Sequence, residues 1–129
     1  MAIGAVVTLG SGWSLTAKAS TLQMFTVASG SMAPAFEQGD RVCAETIADP
    51  WPLRGDVWVF RFPKASGMAS VGIKRVMGLP GDELEVKSGQ LWVNGKAIAE
   101  PYLRAQMTYS LAPVTLGPNE LFVLGDQRD

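Results

Sequence analysis

Residues Glu83–Lys96 read ELEVKSGQLWVNGK. The stretch is rich in β-branched and aromatic residues and carries two strong turn signals, Ser88-Gly89 and Asn94-Gly95. It predicts a hairpin: Ser88-Gly89 reverses the chain, and Asn94-Gly95 turns it again. The same character recurs in RVCAETI (Arg41–Ile47), VWVFRF (Val57–Phe62), GIKRVMG (Gly72–Gly78) and ELFVLGD (Glu120–Asp126). Gly, Pro and Asp separate these runs, as they do between short strands. No stretch holds a helical period over about 11 residues, and there is no internal repeat or low-complexity tract. The expected class is mostly β. Turns this closely spaced favour a barrel or folded sheet over a layered α/β domain.

Gly-Asp occurs four times, at Gly39-Asp40, Gly55-Asp56, Gly81-Asp82 and Gly125-Asp126. The first three stand just before apolar runs. There Gly supplies an unusual φ, and Asp bonds nearby backbone N–H groups. The fourth follows a strand and calls for a different account.

A chain of 129 residues supports one domain with a real core. Hydrophobic residues make up 47% and charged residues 18%, which argues against long disorder. The net charge of −1 gives no basic footprint for nucleic acid. Cys43 is the single cysteine, so no intrachain disulfide forms; a small apolar core residue is expected there. The first 17 residues carry no charged side chain. Three identities fit them: the remnant of a membrane anchor, a signal-peptide core, or a buried first strand or helix. The first is preferred, although a spanning helix wants roughly 20 apolar residues.

The chain contains no histidine. A Ser-His-Asp triad, a Cys-His dyad and a histidine metal site are therefore excluded, and nucleophilic catalysis must use another base, such as lysine. Lysine is a base only when neutral, and apolar burial lowers its pKa from about 10.4 toward about 7–8. Lys74 fits best, with Val71, Ile73, Val76 and Met77 around it. In a strand it shares a face with Gly72 and Val76, while Arg75 points the other way with Ile73 and Met77. From this segment alone, a surface lysine on a half-exposed strand is the plainer account. Lys64, Lys87 and Lys96 lie in polar or turn contexts. The stretch VASGSMAPAF (Val27–Phe36) offers a serine loop. Gly30 allows a tight turn and Pro34 fixes the exit. Such a loop exposes Ser31, while Ser29 or a backbone N–H faces a developing oxyanion. Alone, SGSM is a weak signal.

Taken in order, SGSMAPAFEQGDRV, RGDVWVFRFP, GIKRVMGLPGDELEV, LWVNGKAIAEPYL and NELFVLGDQRD resemble the successive boxes of the bacterial type I signal peptidases. The match covers about residues 25–129. The resemblance implies a mostly β catalytic domain of coiled antiparallel sheets, with an N-terminal membrane segment. It also implies an endopeptidase at the outer face of the plasma membrane that removes signal peptides from exported preproteins. Residues 1–20 are then the apolar N-terminal segment, a remnant anchor. Residues 21–129 are the catalytic domain, cut short at its C-terminal end, where the family usually continues through GDNRDNS and Gln127 replaces the usual Asn.

The family uses a Ser-Lys dyad and an acyl-enzyme, with no metal or organic cofactor. Carried over, Ser31 matches the nucleophile and Lys74 the general base. Ser29 matches the hydroxyl that helps form the oxyanion hole with the Ser31 N–H. Phe25, Val27, Phe36, Val42 and Ile73 match the walls of shallow pockets that take the small residues of an A-x-A site. Met32 is expected to pack under the loop. Arg75, Asp126 and Arg128 are expected as structural support, Asp126 pairing with Arg75. The implied partners are signal peptides and the lipid surface, for a monomer that binds no nucleic acid. Two alternatives stay open: an inactive signal-peptide-binding β module, and another Ser-Lys protease, of the LexA or conjugation-system type.

Overall fold

A computed structural model of the chain describes residues 5–8, 22–45, 52–62, 66, 67 and 70–128. Its strands are β1 (Ala5–Thr8), β2 (Leu22–Thr26), β3 (Arg41–Glu45), β4 (Val57–Phe62) and β5 (Ser70–Gly78). They continue with β6 (Glu83–Lys87), β7 (Gln90–Val93), β8 (Lys96–Ala97), β9 (Leu111–Thr115) and β10 (Glu120–Leu124). There is no helix among the described residues, and so none long and apolar enough to cross a membrane. The strands form three sheets, in the orders β1-β10-β5-β4, β2-β3 and β8-β7-β6-β9. Every pairing is antiparallel. The mostly β expectation therefore holds.

One local device starts three of the strands. In Glu37–Asp40, Leu53–Asp56 and Leu79–Asp82 the aspartate N–H donates to the carbonyl three residues back, at 3.1, 3.1 and 3.0 Å. Its carboxylate accepts the N–H of that same residue, at 2.9, 2.9 and 2.7 Å. The intervening glycines have φ of 94°, 96° and 84°, the value a type II turn demands at its third residue. β3, β4 and β6 begin immediately afterwards.

The Glu83–Lys96 stretch forms β6 and β7 as predicted. Ser88 and Gly89 have φ of 51° and 74°, and Asn94 and Gly95 have 51° and 77°. Positive φ at both central residues marks the turn whose twist suits a two-residue hairpin.

Asp82 ties the β4 and β6 sheets together. It accepts from Arg54 Nη1 and Asn94 Nδ2, each at 2.8 Å. Burial alone would raise its pKa, but the bonds from Arg54, the Leu79 N–H and Asn94 hold the carboxyl below its ordinary value.

Alternation along β10 divides the core. Phe122 and Leu124 face Met77, Leu84, Val86, Leu91 and Val93, so they seal the β5–β10 sheet against the β6–β7 sheet. Leu121 and Val123 face Phe60 and Val76 on the other side. Gly78 sits where the sheets press closest. A Cβ there would come within 2.6 Å of Leu84 Cδ1, 2.8 Å of Phe122 Cβ and 2.9 Å of Leu116 Cδ1. Gly78→Ala is expected to destabilise the fold by about 1–3 kcal/mol. The check is a lower urea midpoint at unchanged slope; an unchanged midpoint would show that the three neighbours yield.

Some expectations are corrected. Cys43 is exposed, not a core residue. Its strand belongs to a two-stranded ribbon, and Arg41, Cys43 and Glu45 take the uncovered side. β9 was not expected. β3 ends at Glu45, and the rest of the predicted run to Ile47 lies outside the described residues. Of the apolar N-terminal segment, Ala5–Thr8 pair with β10, and its other residues lie outside the described residues.

Candidate active site

The serine loop leaves β2 and is pinned at both ends. Val27 N–H donates to Asp40 O at 2.8 Å, and Gly39 N–H donates to Val27 O at 2.9 Å. Inside the loop, Ala33 N–H bonds Gly30 O and Phe36 N–H bonds Met32 O, each at 3.0 Å. Val27 and Met32 are buried and anchor the loop, whereas Ser29 and Gly30 are exposed. Ser31 is half-buried, and its carbonyl accepts the N–H of Gln127 at 2.9 Å.

Lys74 projects from the middle of β5, the longest strand. Its neighbours along the strand divide as alternation requires. Val76 enters the Phe60 side of the core and Met77 the Leu84 side. Lys74 Nζ donates to Ser31 Oγ at 2.8 Å, and Ser29 Oγ donates to Ser31 Oγ at 3.3 Å. Burial pushes the Lys74 ammonium below its ordinary pKa of 10.5. The groove around the pair is lined by Phe25, Val27, Met32, Phe62 and Ile73, and no described residue lining it is acidic. Among the described residues lining it, none favours a charged lysine by pairing with it.

Of the sequence-chosen residues, Phe25, Val27, Ser29, Ser31, Ile73 and Lys74 meet in this groove. Phe36 and Val42 lie outside its lining; Val42 pairs with Phe25 across the ribbon. Phe62 and Gly72 line it without having been singled out.

Behind the groove lies a buried charge network. Arg75 Nε and Nη2 grip Asp126 at 2.8 and 2.6 Å, and Arg75 Nη1 donates to Gly55 O at 2.9 Å. The Asp126 bond holds the guanidinium more firmly charged than usual, against its burial. The Arg75 guanidinium also stacks 4.1 Å from the centre of the Tyr102 ring. Arg128 Nε donates to Gly125 O at 2.6 Å, and its other nitrogens reach Glu100. The fourth Gly-Asp pair thus joins this network rather than starting a strand. Glu100 and Tyr102 escaped the sequence reading. Their partners stand far along the chain, and their only signal is their place in the LWVNGKAIAEPYL block.

The family model described as signal peptidase, peptidase S26, matches residues 1–129. The chain belongs to the signal peptidase family. A probable signal peptidase I-2 of Synechocystis is 38% identical over 80% of this chain and 50% of its own length. A signal peptidase I of Leptolyngbya laminosa is 34% identical over 80% and 54%, respectively. One of Bacillus caldolyticus is 35% identical over 84% and 69%. The chain spans about half the length of the first two of these signal peptidase relatives.

Proposed function

We propose that this chain is a serine endopeptidase that removes N-terminal signal peptides from exported preproteins. The observation that carries this is the 2.8 Å contact between Lys74 Nζ and Ser31 Oγ in a groove whose described lining residues include no acid. Neutral Lys74 takes the Ser31 hydroxyl proton as Ser31 Oγ attacks the scissile carbonyl. The Ser29 hydroxyl and the Ser31 N–H stabilise the oxyanion, a contribution of about 100–1,000-fold in rate per donor. Protonated Lys74 then gives its proton to the leaving amine, and the acyl-enzyme forms. Lys74 next activates water to release the signal peptide.

The substrate enters as an added strand. β10 bonds β5 only at Arg75–Gly78, and Ser70–Lys74 pair with β4 alone among the described residues. Their second edge is left to the groove, with Phe25–Ser29 also lining it. An extended peptide laid there gains main-chain hydrogen bonds, and its alternate side chains meet Phe25, Val27 and Ile73. Pockets walled by these side chains are proposed to take the small residues of an A-x-A site. We place the activity beside the membrane, on its outer face, in a monomer. Leu22 and Met24, 67% and 56% exposed on β2, support an apolar contact next to the groove.

The test is incubation in detergent of a preprotein bearing an A-x-A site with the wild type, Ser31→Ala and Lys74→Ala. Cleavage by the wild type alone supports the dyad. A wild type that binds the preprotein without cutting it makes the chain a binding module.

The dyad also fixes a pH dependence. Because the neutral amine is the active form, kcat/KM is expected to rise with pH as Lys74 deprotonates. Burial lowers the Lys74 pKa, so the rise falls below 10.5. Initial rates from neutral to alkaline pH check this. A rate that falls as pH rises from neutral would remove Lys74 as the base.

A further inference from the structure

We infer that Glu100 is a positioning residue for Ser31 and Lys74, acting on both through Arg128 and Tyr102. Its role rests on those two residues being nucleophile and base. Glu100 lies in the segment between β8 and β9 and is absent from the groove lining. Its side chain is only 4% exposed, and that of Arg128 only 1%. The Glu100 carboxylate accepts from Tyr102 OH at 2.7 Å, from Arg128 Nη1 at 3.1 Å and from Arg128 Nη2.

Two short paths lead from this carboxylate to the dyad. Along the first, Arg128 is held so that its Nε donates to Gly125 O at 2.6 Å, which closes the Gly125–Arg128 turn on itself. That turn presents the Gln127 N–H to the Ser31 carbonyl at 2.9 Å. Along the second, the hydrogen bond to Glu100 fixes the Tyr102 ring, which stacks on Arg75, the residue next to Lys74. Asp126, in the same turn, holds Arg75 from its other side. Glu100 is the group from which both paths start.

A buried ion pair adds little net stability over apolar residues of the same volume, because both charges are desolvated. What this pair does supply is direction. The Ser31 carbonyl sets the plane of its peptide, and with it the aim of the nucleophile. A misplacement of about 1 Å in such a site costs on the order of 100-fold in rate.

Glu100→Gln keeps the shape but sets an amide NH₂ against donors that need an acceptor. At a temperature where circular dichroism shows a folded chain, kcat for preprotein cleavage is expected to fall about tenfold or more, with KM changed less than about threefold. Hydrogen exchange at the Gln127 amide should speed up about tenfold. Tyr102→Phe, which keeps the ring on Arg75 and removes one bond to Glu100, should show a smaller drop in kcat. It carries the kcat measurement if Glu100→Gln does not fold. A folded Glu100→Gln with wild-type kcat overturns the role, even if its melting point has dropped. Unchanged Gln127 exchange overturns it whatever the activity. If the wild type itself cuts nothing, the dyad assignment fails separately, and exchange at Gln127 still decides whether Glu100 holds the turn.

Discussion

Lys74→Arg is expected to lose cleavage by on the order of 10⁴-fold or more, the scale seen when one member of a nucleophile–base unit is removed. Length and charge are nearly conserved, which makes the substitution informative. A guanidinium stays protonated at any pH the fold survives, so it cannot take the Ser31 proton. If Lys74 served only to hold Ser31 Oγ at 2.8 Å, arginine would keep part of the activity by donating in its place. Ser31→Ala should match Lys74→Arg in the size of the loss, and the double variant should lose no more than either. Single-turnover cleavage of a preprotein, with circular dichroism to show folding, measures this. An active Lys74→Arg enzyme would sink the proposed base.

Asp126→Ala carries the largest expected cost to stability, about 3–5 kcal/mol. The Asp126 side chain has no solvent exposure and that of Arg75 only 15%. Removing the carboxylate leaves a guanidinium in the interior with two of its donors unmatched. Total stabilities of single domains run to about 5–15 kcal/mol, so a fall in melting temperature on the order of 10 °C follows. Asp126→Asn should lose nearly as much, since shape alone does not balance the charge. Arg75→Met combined with Asp126→Leu should cost less than Asp126→Ala alone, because no orphan charge remains. Thermal and urea unfolding of the three variants decide it. A loss under about 1 kcal/mol for Asp126→Ala would mean that Arg75 finds water when its partner goes.

Legibility in the sequence followed the range of the interaction. Turns are written in adjacent residues, so Ser88-Gly89, Asn94-Gly95 and three Gly-Asp pairs announced themselves. β4, β5, β6, β7 and β10 followed from them. β9 was hidden by Pro113, which would break a central strand; it is tolerated because β9 lies at the edge of its sheet. β2 could not be read from its own residues, because Leu22 and Met24 are exposed, which removes the alternation that marks a half-buried strand. Cys43 misled because residue type predicts burial only where a second layer covers the strand. At the site, the absence of histidine made a lysine base the natural search, and SGSM and Lys74 could be named. Glu100 could not, because its meaning lies in Arg128 and Tyr102, which only folding brings to it.

The bond from the Gln127 N–H to the Ser31 carbonyl also bears on timing. A ribosome delivers Ser31 well before Gln127. Lys74 arrives between them, beside an arginine whose carboxylate partner has yet to be made. Until Gln127 is made, the serine loop therefore lacks the strut that sets its peptide plane. Up to that point a nascent chain carries Ser31 and Lys74, the proposed dyad, but not their alignment. On the proposed reading, that alignment arrives only once the Gly125–Arg128 turn has formed.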